Sequence, residues 1–381
     1  MVIRILGTSG NDKLTATSTD QLVMAGGLGN DTMLGSQNDD RLFGGAGNDT
    51  LIYGQGFDTL YGGTGNDTYI IQGQVGTFIT PEVTISEAVG AGNDLLIMRV
   101  SVQSYVLPQY LERITVEADM AHLTGNAESN TIIASSRLNN MTILAGAGND
   151  WVAGSGGRDV IDGGTGIDTL TGGAGNDLYK IDRRSDVIIE AAGGGTEQVI
   201  STSSYTLSAY VEHLTLTGAA TDGIGNASNN IIKANMYDNK LIGNAGNDVL
   251  AGDAGSDTLA GGTGNDILNG GAGRDHLFGG LGADVFMFVT SEFLGQTRAT
   301  ADVIYDFDAS DTIDLSYVDA NILRADDQAF AYIGSANFSK VVGQLRYDGA
   351  FLLADRDGNG EADFFLAVKG TAGTVGDSLL A

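Results

Sequence analysis

The sequence has no cysteine, so no disulfide holds the fold together, and an extracellular chain of this kind would need another staple, such as metal. Proline is nearly absent, at two residues against 58 glycines. That ratio excludes a collagen helix and points to turns at regular intervals. Positive charge is scarce: 19 Lys and Arg face 48 Asp and Glu, for a formal net charge of −29. Such a chain repels nucleic acid and anionic membranes and attracts cations. No apolar run approaches the ~18 residues of a membrane span. The start, Met1-Val2-Ile3-Arg4-Ile5-Leu6-Gly7, lacks the apolar core of a secretory signal peptide. The expectation is a cytoplasmic protein or one exported without an N-terminal signal. At 42% hydrophobic residues, the chain is too apolar for a solvated acidic tail.

What the sequence does have is a period of nine. The first array starts at Gly26 and restarts at Gly35, Gly44, Tyr53 and Gly62. Its sixth positions are Asp31, Asp40, Asp49, Asp58 and Asp67, and its eighth positions are Met33, Leu42, Leu51, Leu60 and Tyr69. A looser unit, Gly7 to Thr15, adds Asp12 and Leu14. The second array, from Ala145, carries Asp150, Asp159, Asp168 and Asp177 with Val152, Ile161, Leu170 and Tyr179. The third, from Gly225, carries Asn230, Asn239, Asp248, Asp257, Asp266, Asp275 and Asp284 with Ile232, Leu241, Leu250, Leu259, Leu268, Leu277 and Phe286.

The spacing has a physical reading. Six residues rich in Gly, Asn and Asp form a turn, because several must take positive φ. The other three, with an apolar residue in the middle, form a short strand whose central side chain points inward. Alternate turns fall on opposite sides of a flattened coil, so units 18 residues apart stack at the ~4.8 Å strand spacing. Carboxylates stacked that closely repel one another. Ca²⁺, which takes six to eight oxygens in flexible geometry, relieves the repulsion with Asp carboxylates and glycine carbonyls as ligands. With one inward apolar side chain per nine residues, folding is expected to be coupled to metal binding.

These units resemble the RTX family, whose nonapeptide G-G-x-G-x-D-x-U-x forms a calcium-loaded parallel β-roll. The resemblance implies an all-β parallel solenoid with an ion between adjacent same-side turns, roughly eight to ten ions in all. The ligands it implies are the fifteen aspartates named above, Asp12 included, together with the glycines at positions two and four of the better-formed units. Those glycines are Gly27, Gly29, Gly45, Gly47, Gly63 and Gly65 in array one, and Gly164, Gly166, Gly173 and Gly175 in array two. In array three they are Gly262, Gly264, Gly271, Gly273, Gly280 and Gly282. Extracellular modules commonly bind at ~10⁻⁴–10⁻³ M, so the cytoplasm would leave such sites empty and the outside medium would fill them.

The expected organisation is array one over 1–70, a β-rich segment over 71–144, array two over 145–179, a second β-rich segment over 180–224, array three over 225–287 and a closing region over 288–381. The β-rich segments are duplicates at an offset of 100 residues: Tyr110-Leu111-Glu112 recurs as Tyr210-Val211-Glu212, and Gly125-Asn126-Ala127 as Gly225-Asn226-Ala227. They either continue the coil without calcium or form a small flanking sheet. Asn130, Asn230 and Asn239 at position six are expected to be structural, with asparagine ladders in place of metal. The stretches Asp302–Phe307 and Asp311–Ser316 resemble the cap that closes the β-roll in serralysin-type proteins, and a cap protects an open sheet edge. Asp355–Asp363 has EF-loop-like oxygen spacing, but Leu366 stands where the bidentate acid belongs, which leaves a calcium loop or a plain acidic turn. The last residues, Asp377-Ser378-Leu379-Leu380-Ala381, resemble a type I secretion signal.

No catalytic motif is found. H-E-x-x-H, G-x-S-x-G and a P-loop are absent. His122, His213 and His276 are scattered, and Trp151, the single tryptophan, falls on an outward position. The chain is therefore expected to be a secreted, calcium-binding, non-enzymatic protein of a matrix or cell-surface layer, with calcium, the secretion machinery and polysaccharide or its own copies as partners. A calcium-dependent lectin and a polysaccharide-active enzyme of parallel-coil type are the alternatives.

Overall fold

The computed structural model describes residues 2–16, 20–72, 83–135, 137, 139–289, 296–324, 328–370 and 379–380. Its strands begin where the nonapeptide predicts. The regular array strands place a buried centre between half-exposed neighbours, as in Thr32–Leu34, Thr50–Ile52 and Thr169–Thr171. Positions seven and nine hold the outer surface while position eight fills the core. Among the described residues there are only strands, turns and bends, and no helix long and apolar enough to cross a membrane.

The chain forms two compact units, Met1–Glu197 and Gln198–Ala381. The division falls inside the expected 180–224 segment rather than at an array boundary. In the first unit one sheet runs through ten parallel strands from Lys13–Thr15 to Val187–Ile188. Its register puts Met33 beside Leu51, Leu51 beside Tyr69, Tyr69 beside Leu96, then Ile114, Ile132, Val152, Leu170 and Ile188. All are buried. Leu96, Ile114 and Ile132 come from the segment between the arrays, so that segment winds on as part of the coil; it does not leave to build a flanking sheet.

Across the thin core a second sheet aligns Met24, Leu42, Leu60 and Ile85. Beyond it, Leu123, Ile143, Ile161 and Tyr179 form the corresponding inner row. The second unit repeats the design, with Leu214, Ile232, Leu250, Leu268, Phe286 and Ile313 on one face. Leu241, Leu259, Leu277 and Ile304 form the other.

In the sheet that contains Asp302–Phe307 the parallel pattern gives way after one more strand. Phe364–Gly370 still pairs in parallel, but Phe351–Asp355 and Gln344–Tyr347 then add antiparallel, as a hairpin with buried Leu345, Leu352 and Phe364. Of the C-terminal signal-like residues, Leu379–Leu380 pairs beside Ile313–Asp314; Asp377, Ser378 and Ala381 lie outside the described residues.

Candidate metal centres

The turns stack as the 18-residue offset requires. The N–H of Asp31 donates to Oδ1 of Asp49, and that of Asp49 to Oδ1 of Asp67, both at 2.7 Å. The same bond joins Asp150 to Asp168, Asp248 to Asp266, Asp257 to Asp275 and Asp266 to Asp284 at 2.8–2.9 Å. Each aspartate thereby commits one oxygen to the backbone of its neighbour. The turn favours glycine, although Asn244 (φ 78°) and Asp253 (φ 66°) take the same left-handed backbone at position two. All sixteen glycines named at positions two and four have positive φ, as at Gly63 (111°) and Gly65 (123°). A Cβ on Gly63 would also lie 2.9 Å from the carbonyl carbon of Gly45 below it.

The other carboxylate oxygen has no such partner. Among the described residues, twelve aspartates bury an Oδ2 that accepts no hydrogen bond: Asp31, Asp49, Asp67, Asp94, Asp150, Asp168, Asp177, Asp248, Asp257, Asp266, Asp275 and Asp284. Each is at most 2% exposed. A buried charged oxygen left unsatisfied is costly, so a column of them demands a cation. The surroundings fit one. The position a Cβ would take on Gly26 lies between Asp31 Oδ2 and the Gly44 carbonyl oxygen; on Gly44, between Asp49 Oδ2 and the Gly62 oxygen; on Gly243, between Asp248 Oδ2 and the Gly261 oxygen. Hard oxygens thus converge on a small space, which is the donor set Ca²⁺ takes. The carbonyl found there belongs to position one of the next same-side turn, a donor the spacing alone did not name.

Burial, more than like charge, pushes these carboxyls up: to about 6 at Asp67, Asp150, Asp248, Asp275 and Asp284, and to about 7 at Asp177 and Asp257. Neighbouring carboxylates add to the rise, and the backbone bond to Oδ1 partly offsets it.

Four of the expected ligands differ. Asp40 Oδ2 accepts the Ser36 N–H at 2.5 Å, and Asp159 Oδ2 accepts both the N–H and the hydroxyl of Ser155. Asp12 Oδ2 accepts from the backbone and hydroxyl of Thr8, and Asp58 Oδ2 accepts from the Gly54 N–H at 3.3 Å. Ser36, Ser155 and Thr8 stand where regular units have glycine at position two, and their donors close the turn on its own aspartate.

The asparagine turns go further. Asn130 Nδ2 donates to the Leu111 carbonyl at 3.1 Å and to Asn126 Oδ1 at 3.0 Å, while its own oxygen accepts the Asn126 N–H. Asn230 donates to the Val211 carbonyl at 3.1 Å and Asn239 to the Ala220 carbonyl at 2.9 Å. Asn130 and Asn230 share the duplicated plan, in which Tyr110 (φ 63°) and Tyr210 (φ 65°) take the same left-handed backbone.

Several column members escaped the sequence reading. Asp67 donates its N–H to Asp94, and Asp94 donates to Glu112, 27 and 18 residues on. Asp275 leads to Asp302 and Asp284 to Asp311, both at 27 residues. The signal was present: Gly92-Asn93-Asp94 repeats the nonapeptide's own triplet after one skipped unit. Asp186 and Glu197 close the columns after array two. In the Asp355–Asp363 loop, Asp355, Asp357 and Asp363 come together. There, Asp355 already accepts the N–H groups of Gly358 and Gly360, and Asp363 accepts that of Arg356, as in an acidic turn.

A family model described as the RTX calcium-binding nonapeptide repeat (4 copies) matches residues 25–60, 54–70, 144–179, 224–259 and 252–286. No curated protein sequence matches the chain. Among solved structures, the chain is similar to the AlgE6R3 subunit of the Azotobacter vinelandii mannuronan C5-epimerase, at 24% identity over 41% of this chain and 80% of that one, with a TM-score of 0.17. The matched residues are the three arrays, their turns carry the buried oxygens described above, and the coil they wind is a parallel β-roll: these arrays are RTX calcium-binding nonapeptide repeats.

Proposed function

We propose that this is a secreted structural or adhesive protein that folds on binding Ca²⁺ outside the cell and contributes to a matrix or surface layer. The observation that carries the reading is the set of twelve buried aspartate oxygens without a hydrogen-bond partner. At the low free calcium of a cytoplasm these oxygens repel and the glycine-rich arrays stay open, which suits export of an unfolded chain. In a medium with millimolar calcium the ions bridge Oδ2 to glycine carbonyls, and the arrays close. The column aspartates are committed to this ladder, which supports a binding role rather than a catalytic one.

The test is a calcium titration of the EDTA-stripped chain by far-UV circular dichroism, with Mg²⁺ as control. Gain of β signal at high micromolar to millimolar Ca²⁺ but not Mg²⁺ is the expected result, since Mg²⁺ demands tighter octahedral geometry. Light scattering on the same samples reads assembly. A stripped chain that is already fully β and indifferent to calcium would sink the proposal.

A further inference from the structure

The last repeats of arrays one and two differ from those within. At Gly26 and Gly44, position-one glycines inside array one, the slot beside the glycine is shared by an aspartate oxygen and the carbonyl of the next same-side turn: Gly44 for Gly26, Gly62 for Gly44. At Gly62 no further array turn follows. The slot there is filled by Asp67 Oδ2, the Tyr69 hydroxyl and Oε1 of Glu87 at 2.7 Å from the Cβ position. Tyr69 donates its hydroxyl hydrogen to Glu87 and accepts the Gly62 N–H at 2.7 Å. Array two ends the same way: Gly172 faces Asp177 Oδ2 and the Tyr179 hydroxyl, and Tyr179 donates to Glu190. Tyrosine at position eight occurs in these two terminal units alone among the repeats of the three arrays.

Around each terminus three carboxylates gather. Asp67, Glu87 and Asp94 each offer an oxygen within 4.8 Å of the others, and so do Asp177, Glu190 and Glu197. Within these groups Asp67, Asp94 and Asp177 are at most 1% exposed, and their Oδ2 atoms accept no hydrogen bond; Glu190 Oε2 also lacks one. An interior turn presents an ion with one unpartnered carboxylate oxygen and neutral carbonyls. The end of the array presents three acids, whose added charge strengthens cation binding in a poorly solvated site.

We propose that the ends of arrays one and two each hold a three-carboxylate Ca²⁺ site, distinct from the nonapeptide sites, that binds more tightly than they do and fills first. Glu87 and Glu190 replace the carbonyl of the turn that is missing. The bound ion then pins the segment leaving the array to its last repeat, so that each array acquires a fixed end before its interior sites fill. This rests on the reading that the columns themselves bind calcium.

The experiment is calcium titration calorimetry on the stripped full chain, compared with Glu87→Gln, Glu190→Gln and the double variant. The wild type should show a tight class of two equivalents ahead of the weaker remainder. Each single variant should lose one of them, with affinity at that site falling about tenfold or more, and the double variant should lose both while the weak class persists. The Tyr69→Phe/Tyr179→Phe variant separates ligation from structure. It keeps all six carboxylates, so it should retain two tight equivalents, yet lose tyrosine-sensitised emission when Tb³⁺ occupies them. Glutamates that only hold the tyrosines would give equal damage from Glu→Gln and Tyr→Phe, with no selective loss of tight equivalents, and would overturn the proposal. So would a wild type with a single weak class. Calcium binding nowhere in the chain would instead overturn the function proposed above, and this inference with it.

Discussion

Asn130 and Asp150 are successive rungs of one ladder: the N–H of Asn130 donates to Oδ1 of Asp150 at 2.7 Å. Their side chains differ by one group, NH₂ against O⁻, and that group inverts the chemistry of the turn. The Asn130 amide supplies its own donors and closes on the Leu111 carbonyl. Asp150 offers a second acceptor to a space lined by acceptors, and its Oδ2 stays unpartnered. The same contrast separates Asn230 and Asn239 from Asp248 and Asp257. One backbone geometry is thus closed from within, by an asparagine amide at position six or by a donor at position two as at Asp40 and Asp159, or else leaves a buried oxygen for an ion. The coil alternates between stretches whose turns leave a buried carboxylate oxygen unpartnered and stretches whose turns satisfy their own side chains.

Calcium withdrawal should exaggerate this difference most. In hydrogen exchange of the chelated protein, amides of array strands such as Val249–Ala251 and Thr258–Thr263 should lose protection by orders of magnitude. Those of Arg113–Val116 and Thr131–Ala134, beside the asparagine turns, should lose much less. Uniform loss across both would mean the amide turns have no stability of their own.

Acidity should act in opposite directions with and without the ion. In the calcium-free chain, burial raises Asp58, Asp177 and Asp257 to about 7 and Asp67, Asp150, Asp248, Asp275 and Asp284 to about 6. Folded carboxyls that hold protons more tightly than unfolded ones favour folding at low pH, and that contribution disappears as pH rises from about 4 through about 7. Stripped protein should therefore melt at a higher temperature at pH 5 than at pH 8. Loaded protein should show the reverse, because protons compete with calcium for the same oxygens. Melting curves at the two pH values, with calcium and with chelator, read the sign directly.

Exchanging the two turn types should give a smaller effect with the same inversion. Asp168→Asn should remove one weak calcium equivalent, and in the stripped protein should raise stability by about 1–3 kcal/mol by relieving an unsatisfied buried oxygen. Asn130→Asp should do the opposite: a loss of similar size without calcium, partly recovered with it. Denaturant melts of both variants in calcium and in chelator test the pair. Losses under both conditions for both variants would show that position six serves packing rather than a choice of stabiliser.

Much of this was legible because the period is physical. Every eighth position of the regular arrays, from Met33 to Phe286, is buried, and every glycine singled out has positive φ, since a three-residue strand and a six-residue turn allow little else. The structural role of Asn130, Asn230 and Asn239 was legible too, but in place of the expected asparagine ladders each amide bonds a backbone carbonyl and stacks on an aspartate. What escaped depended on partners outside the period. Ser36 satisfies Asp40 through its backbone N–H, and Ser155 satisfies Asp159 through N–H and hydroxyl, donors that a pattern of acids does not register. Glu87 and Glu190 reach their sites from segments whose spacing to Asp67 and Asp177 differs, 20 residues in one case and 13 in the other. Only the tyrosine at position eight marks them.

A second ladder, also unread in the sequence, sits on the exposed side of the turns and should be the weakest element. Asn30 Oδ1 accepts the Asn48 N–H and Asn48 Oδ1 the Asn66 N–H, each at 2.8 Å; Asn247 and Asn265 repeat the bond in array three. These position-five amides bind backbone whether or not a metal is present, and they are exposed to water that can replace them. Asn48→Ala should therefore cost roughly 0.5–1.5 kcal/mol, equally with calcium and with chelator, and should leave calcium stoichiometry unchanged. That equality is the discriminating result. If Asn48→Ala weakens calcium binding, position five orders the turn for the ion, and the division between a metal-dependent column at position six and a metal-independent one at position five does not hold.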